Sequence, residues 1–290
     1  MGKTVDEGFR KFHGMLTPTR EQSQSAKRHR VSIETCLKNS FEITRFVPTG
    51  SFGNGTSIRG YSDVDYFACI PNKNLYENSF TTLQEIREVL LGRFQDADIT
   101  IRPPAVRVRF GADASDSTEI VPAEFLQRDT GGNLIYEIAD GAGGWLRSSP
   151  DAHNNYVDEV DRELGGKVKP LVSVLKAWKY YHGATIRSFY LEMYVAHYAS
   201  QKKSIVYARD VRNILKALWE NQLAALQDPK DIIGNISPCS TKEQKSHALR
   251  ELNFAFTRAE EAREAENAGR ISDAFYCWNR VFARKFPSYD

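Results

Sequence analysis

Two aspartates one residue apart, Asp63 and Asp65, open the stretch "DVDYFACI". On an extended chain, residues i and i+2 point to the same side, about 6 to 7 Å apart along the backbone. Two carboxylates so placed repel each other unless a cation lies between them. Paired hard oxygen ligands suit Mg2+ or Mn2+, and such ions complete a sparse carboxylate shell with water and substrate phosphates. Two ions about 4 Å apart clamp the attacking and leaving oxygens of a phosphoryl transfer. That chemistry calls for a third carboxylate from another strand. Glu119, in "TEIVPA", is the first candidate, with Asp113, Asp116 and Glu124 as nearby alternatives. The competing reading is a polar strand end with two solvated aspartates.

The segment just before the pair adds a second element. Ser51, Gly53 and Gly55 precede the aspartates by 8 to 14 residues. Glycines let backbone N–H groups turn inward as an anion nest, and a serine hydroxyl adds a donor. A phosphate cradle beside a carboxylate pair is a site for a nucleoside triphosphate. An ordinary glycine loop between two strands is the alternative.

The elements that must position these groups follow from periodicity. Residues 19–40 are polar and free of Gly and Pro, which predicts a long exposed helix. "FEITRFV" predicts a strand, Pro48 to Gly60 a glycine-rich turn, and "DVDYFACI" a strand closed by Pro71. In that strand Val64, Tyr66, Ala68 and Ile70 share one face, and Asp63, Asp65, Phe67 and Cys69 the other. "TLQE" at Thr82 has the form of a capping box, followed by Leu83, Ile86, Leu90 and Phe94 at helical spacing. "AVRVRF" alternates Val and Phe against Arg107 and Arg109. Arg59 and Arg107 could help with phosphates, but charged strand and loop faces are the commoner reading and neither is assigned to the site. "STEIVPA" is a short strand that Pro122 ends.

From about Asp151 strand signals fade. Val168, Leu171, Val172, Leu175 and Trp178 form one helical stripe that stops at Gly183. "SFYLEMYVAHYAS" is a second helix, and residues 206–225, 241–267 and 271–285 are also helical in pattern. The expected architecture is α+β: a core lobe over residues 1–150 with a mixed sheet, then a helical lobe over 151–290, with a site in a cleft between them.

Composition fits a globular enzyme. The chain has 290 residues, 41% hydrophobic and 26% charged, with a net charge of +2. That small charge does not call for a nucleic-acid partner. Cys36, Cys69, Cys239 and Cys277 are widely spaced and read as reduced thiols. No signal peptide, myristoylation signal or membrane span is expected, so the reading is cytoplasmic.

"GSFGNGTSIRGYSDVDYF" resembles the signature of the DNA polymerase β nucleotidyltransferase superfamily: Gly-Ser, a spacer of about a dozen residues, then Asp-hydrophobic-Asp. "TEIVPAEF" is similar to its third-carboxylate strand. "LVSVLKAWKYYHGATIRSFYLEMYV" resembles the helical-lobe signature of oligoadenylate synthases, cyclic GMP-AMP synthase and the bacterial cGAS/DncV-like nucleotidyltransferases (CD-NTases). The bacterial branch fits best, over residues 25 to 200. The resemblance implies a polymerase β-like nucleotidyltransferase lobe. It also implies that Gly50 and Ser51 hold donor phosphates, and that Asp63, Asp65 and Glu119 are catalytic and bind two Mg2+ or Mn2+ ions. Glu119 departs from the commoner Asp at its position. Lys176 would neutralise the triphosphate, Ser188 touch its tail, and Phe189 stack on the base. Read bottom-up, Lys176 also fits a solvated lysine face, Ser188 a helix N-cap, and Phe189 the core. Trp178 is read as core outright, and His153, His182 and His197 lack metal-ligand spacing.

The activity implied is template-independent synthesis of a cyclic di- or trinucleotide messenger from nucleoside triphosphates, with ATP and GTP expected. It further implies CBASS-type anti-phage signalling, in which the product acts on a separate effector, and leaves room for a regulatory protein partner. An RNA-tailing or tRNA nucleotidyltransferase is the alternative enzyme, for which "SAKRHR" would supply a basic stripe. A catalytically inactive nucleotide-binding module is the alternative outside enzymes.

Overall fold

The alternation that defines the aspartate strand is realised in β2 (Val64–Cys69). Tyr66 and Ala68 face one apolar cluster while Phe67 and Cys69 face another, so the strand is buried on both sides. A strand buried on both faces belongs in the middle of a sheet. In this computed structural model, which describes residues 4–61, 63–111 and 116–289, β2 lies between β1 (Arg45–Thr49) and β5 (Asp116–Arg128). It runs antiparallel to β1 and parallel to β5. β3 (Asp98–Arg102) and β4 (Ala105–Phe110) extend the sheet in the order β1-β2-β5-β4-β3. β6 (Leu134–Ala139) and β7 (Trp145–Ser148) continue from the far end of β5, giving seven strands.

Pro122 does not end β5. It sits where the strand exchanges one neighbour for another: β4 pairs with it up to Ile120, and β6 from Ala123 onward. A proline has no N–H to give, and at this changeover none is asked of it on that side.

α2 (Arg20–Phe41) and α4 (Ser79–Arg93) cover one face of the sheet. Ile33, Leu37 and Phe41 recur at helical spacing on α2, and Leu83, Ile86 and Leu90 on α4. Phe46 stacks on Tyr66 with ring centroids 4.6 Å apart beneath them. α4 starts three residues before the expected capping box. Asn78 is its N-cap, accepting from the Phe80 N–H, and Thr82 is buried inside the helix, accepting from the Tyr76 N–H. The expected glycine-rich turn contains a short helix, α3 (Gly50–Asn54).

The remaining helices are α1 (Val5–Leu16), α5 (Pro150–Glu163), α6 (Val168–Tyr181), α7 (Ser188–Ser200), α8 (Tyr207–Glu220), α9 (Lys242–Asn267) and α10 (Ile271–Val281). α6 is the centre of its unit, buried without a break from Leu171 to Trp178. It closes on Gly183 at φ +60°, where the Ala184 N–H reaches Lys179 O and the Gly183 N–H reaches Tyr180 O, the paired bonds of a Schellman end.

The chain divides into two compact units. One is Pro18–Asn155, and the other takes the described chain on both sides of it. The boundary falls within α5, a few residues beyond the expected 150/151. The larger difference is at the N-terminus, where α1 groups with the helical unit rather than with the sheet. The cause is aromatic packing: Phe9 meets Trp278 at 4.9 Å and Phe12 meets Phe282 at 4.5 Å between ring centroids. Among the described residues, no helix is long and apolar enough to cross a membrane.

Candidate active site

Sheet register draws the candidate carboxylates into one row. Thr49 on β1 stands opposite Asp65 on β2, and Asp65 opposite Glu119 on β5. Glu119 stands opposite Arg107 on β4, and Arg107 opposite Thr100 on β3. Laterally paired residues share a face, so five polar side chains cross five strands at one level. Asp63 sits just ahead of β2, close enough for its charge to act on Glu119. Burial, and then Asp63, push the Glu119 carboxyl above the usual carboxylate range, while Arg107 and Arg102 pull it back.

The row settles how the candidate acids are placed. Glu119 is beside Asp65. Glu124 lies farther along β5, where it accepts from Asn72 Nδ2 at 3.0 Å. Asp113 lies outside the described residues, as does the side chain of Asp116.

α3 brings the Gly50–Ser51 pair against this row. Gly50 adopts φ +56°, and a Cβ there would lie 2.0 Å from Asp65 Oδ2 and 2.8 Å from its Cγ. Only glycine leaves room for that carboxylate. A Cβ on Gly53 would meet Pro48 O at 3.1 Å, so the helix also lies tightly against β1. The Ser51 hydroxyl accepts from Ser57 Oγ at 3.3 Å, and Ser51 O receives the N–H groups of Gly55 and Thr56.

These residues fit a divalent cation of a particular kind. No three His, Cys, Asp or Glu side chains among the described residues form a ready metal cage. An all-protein calcium or zinc site is therefore a poor match. Two aspartates with a laterally paired glutamate do match an ion that takes much of its shell from phosphate oxygens and water.

The helical unit holds the other predicted residues. Lys176, only 1% exposed, is ion-paired with Glu192, so it belongs to no solvated lysine face. Ser188 opens α7, but Arg187 is the N-cap residue and no side chain caps the helix. The Ser188 hydroxyl instead accepts from Lys179 Nζ at 2.6 Å and lies 3.2 Å from the Tyr180 hydroxyl. Phe189 is 40% exposed and so is not a core residue, whereas Trp178 is fully buried. Lys179 was not singled out in the sequence. Burial, together with the charge of Lys176, lowers its ammonium pKa to about 8.

A mixed sheet covered by helices is the fold shared with the DncV nucleotidyltransferase structures. The structure superposes with TM-score 0.76 on the Vibrio cholerae DncV cyclic AMP-GMP synthase in complex with the linear intermediate 5′ pppA(3′,5′)pG, at 13% identity over 95% of this chain and 94% of that one. Residues 3–161 match the Second Messenger Oligonucleotide or Dinucleotide Synthetase domain, and the chain belongs to that family. It is thus a nucleotidyltransferase of the cyclic nucleotide synthase group, as the sequence resemblance implied. A probable cyclic nucleotide synthase of Bacillus cereus (strain VD146) is 24% identical over 82% of this chain and 75% of its own length. The cyclic AMP-AMP-AMP synthase of Acinetobacter sp. (strain ATCC 27244 / 9458) is 25% identical over 89% and 74%.

Proposed function

We propose that this protein joins nucleoside triphosphates without a template and closes the product into a cyclic di- or trinucleotide. The observation that carries the reading is the Asp65–Glu119 register pair with Gly50 held under the Asp65 carboxylate. Asp63, Asp65 and Glu119 would hold two Mg2+ or Mn2+ ions, which when bound supply charge neutralisation at the phosphates and at the attacking oxygen.

This chain's own residues do the positioning. Gly50 admits the backbone and donor phosphates close to Asp65, and the Ser51 hydroxyl is available as a phosphate donor. Glu119 would take the proton of an incoming ribose hydroxyl as that oxygen attacks the α-phosphorus and pyrophosphate leaves. From the helical unit, Lys176 balances triphosphate charge while Glu192 fixes its position. Ser188 binds the phosphate tail and Phe189 offers its exposed ring to a base. A linear product that binds again presents its free hydroxyl for the second transfer, which closes the ring. Positioning and electrostatics supply most of such a rate enhancement.

ATP and GTP are the proposed substrates, supported by two relatives, one a cyclic AMP-GMP synthase and the other a cyclic AMP-AMP-AMP synthase. A role in CBASS-type anti-phage signalling, with the product acting on a separate effector, is part of the same proposal. The test is incubation with all four ribonucleoside triphosphates and Mg2+ or Mn2+, with phosphatase-resistant products read by mass spectrometry. Cyclic products that vanish in Asp63→Ala and Asp65→Ala support the reading. Products that need added RNA would replace it with RNA tailing.

A further inference from the structure

Arg107 is the least explained member of the polar row. It is 5% exposed, in the interior of β4. Its Nη2 donates to Thr100 Oγ1 at 3.3 Å, and its Nε is buried with no hydrogen-bond partner among the described residues. Burying a guanidinium with a spare N–H costs stability unless charge elsewhere offsets it. Its neighbour on the same face, Arg109, reaches Asp98 at 3.9 Å near the surface. Arg107 has no such outlet. The negative charges that act on it are those of Asp63 and Glu119, against the positive charges of Arg102 and Arg109.

Glu119 is in turn flanked in the sheet by Asp65 on one side and Arg107 on the other. Two carboxylates share this level with Asp63 just ahead of it, and Arg107 is the cation that stands in the row beside them, with Arg102 acting on Glu119 less strongly. We propose that Arg107 is a positioning residue for Glu119: a built-in counter-charge that holds the carboxylate row together before a divalent cation arrives, and that tempers how strongly the row then draws that cation. This rests on the metal-binding reading of Asp63, Asp65 and Glu119. Arg107 touches no reacting atom on this account. It acts through Glu119, and the cost of its burial is offset by the row it stabilises.

The test needs no turnover. Wild type, Arg107→Met, Arg107→Gln, Arg107→Lys, Glu119→Gln, the double variant Arg107→Met/Glu119→Gln and Asp63→Asn are stripped of metal. Thermal unfolding is followed during Mn2+ titration, and Mn2+ binding is measured by water-proton relaxation. Removing a unit positive charge beside the row should tighten Mn2+ binding roughly fivefold in Arg107→Met and Arg107→Gln. It should also lower the metal-free Tm and at least double the Mn2+-induced rise. Arg107→Gln keeps a donor for Thr100, so it separates lost charge from lost packing should the Met variant fold poorly. Arg107→Lys should stay within twofold of wild type. In the Glu119→Gln background, removing Arg107 should change Mn2+ binding by less than in the wild-type background, leaving only its direct effect on the cation and on Asp63.

Unchanged or weaker Mn2+ binding in both Arg107→Met and Arg107→Gln, with only the Tm lowered, would make Arg107 an ordinary structural arginine and overturn the proposal. A different failure would show in the wild type. If it binds no Mn2+, or Asp63→Asn binds as well, the metal reading of the site falls and the proposal with it.

Discussion

Replacing Gly50 with alanine puts a methyl carbon 2.0 Å from Asp65 Oδ2, 2.8 Å from its Cγ and 3.1 Å from its Cβ. Ordinary contact begins near 3.4 Å, so the carboxylate has to retreat by about 1.4 Å or α3 must lift away from β2. The first route disturbs the carboxylate itself, and the second moves Ser51. A left-handed backbone at φ +56° adds a local cost of about 1 to 2 kcal/mol for any residue with a Cβ. Misplacing a reacting group by about 1 Å lowers rate on the order of a hundredfold. Gly50→Ala is therefore expected to lose roughly a hundredfold in kcat while losing only about 1 to 2 kcal/mol of stability. The assay pairs pyrophosphate release under saturating ATP and GTP with urea unfolding of the same preparations. A variant that turns over within threefold of wild type would refute the argument that the Asp65 carboxylate works from the position seen here.

The buried Lys176–Glu192 pair gives a second expectation. Glu192→Ala leaves a buried ammonium without its partner and should cost about 3 to 5 kcal/mol in urea unfolding, whereas Lys176→Met/Glu192→Leu should cost much less. Lys179 gives a third. Its folded pKa, near 8, lies below the ordinary lysine value of 10.5, so between these pH values the unfolded chain binds more protons and stability rises with pH. Lys179→Met should flatten that rise, read by chemical unfolding from pH 7.5 to 9.5.

The sequence revealed those parts of the molecule whose burial follows a single local period. β2 was legible because each of its faces is internally consistent and Pro71 stops it. α6 and α7 were legible because their apolar stripes and Gly183 agree. The short helix α3 was not, because three glycines in so few residues look like a loop. Pro122 resembled a strand end because a change of strand partner leaves no local mark. Arg107 alternates with valines as a solvent-facing residue would, and only the neighbours supplied by β5 and β3 make it a buried member of a charged row. Lys176 was misleading in the same way. A helix covered on several sides buries more than its stripe, and it was Glu192, sixteen residues away, that made a buried lysine tolerable. Asp63 and Asp65, with Glu119 as the nearest third acid, could be singled out because like charges at fixed spacing are costly without a ligand, and that cost shows in the residue types themselves; Gly50 came only with the family resemblance.

The grouping of α1 with α10 has a consequence for biosynthesis. The sheet unit is an uninterrupted run of chain and can complete its contacts as soon as that run has left the ribosome. α1 is made before it: Phe12 can meet Tyr181 and Phe9 can meet Tyr207 once α6 and α8 are made, but Trp278, Phe282 and Phe286 reach them only after α10 has been translated. At about 5 to 20 residues per second, the nascent helix carries those two rings without their full cover for on the order of 15 to 50 s. During that interval they are a ready hold for a chaperone, and a polypeptide stalled before α10 would keep them on display. The cover over the α1 aromatics is therefore complete only once α10 has folded against them.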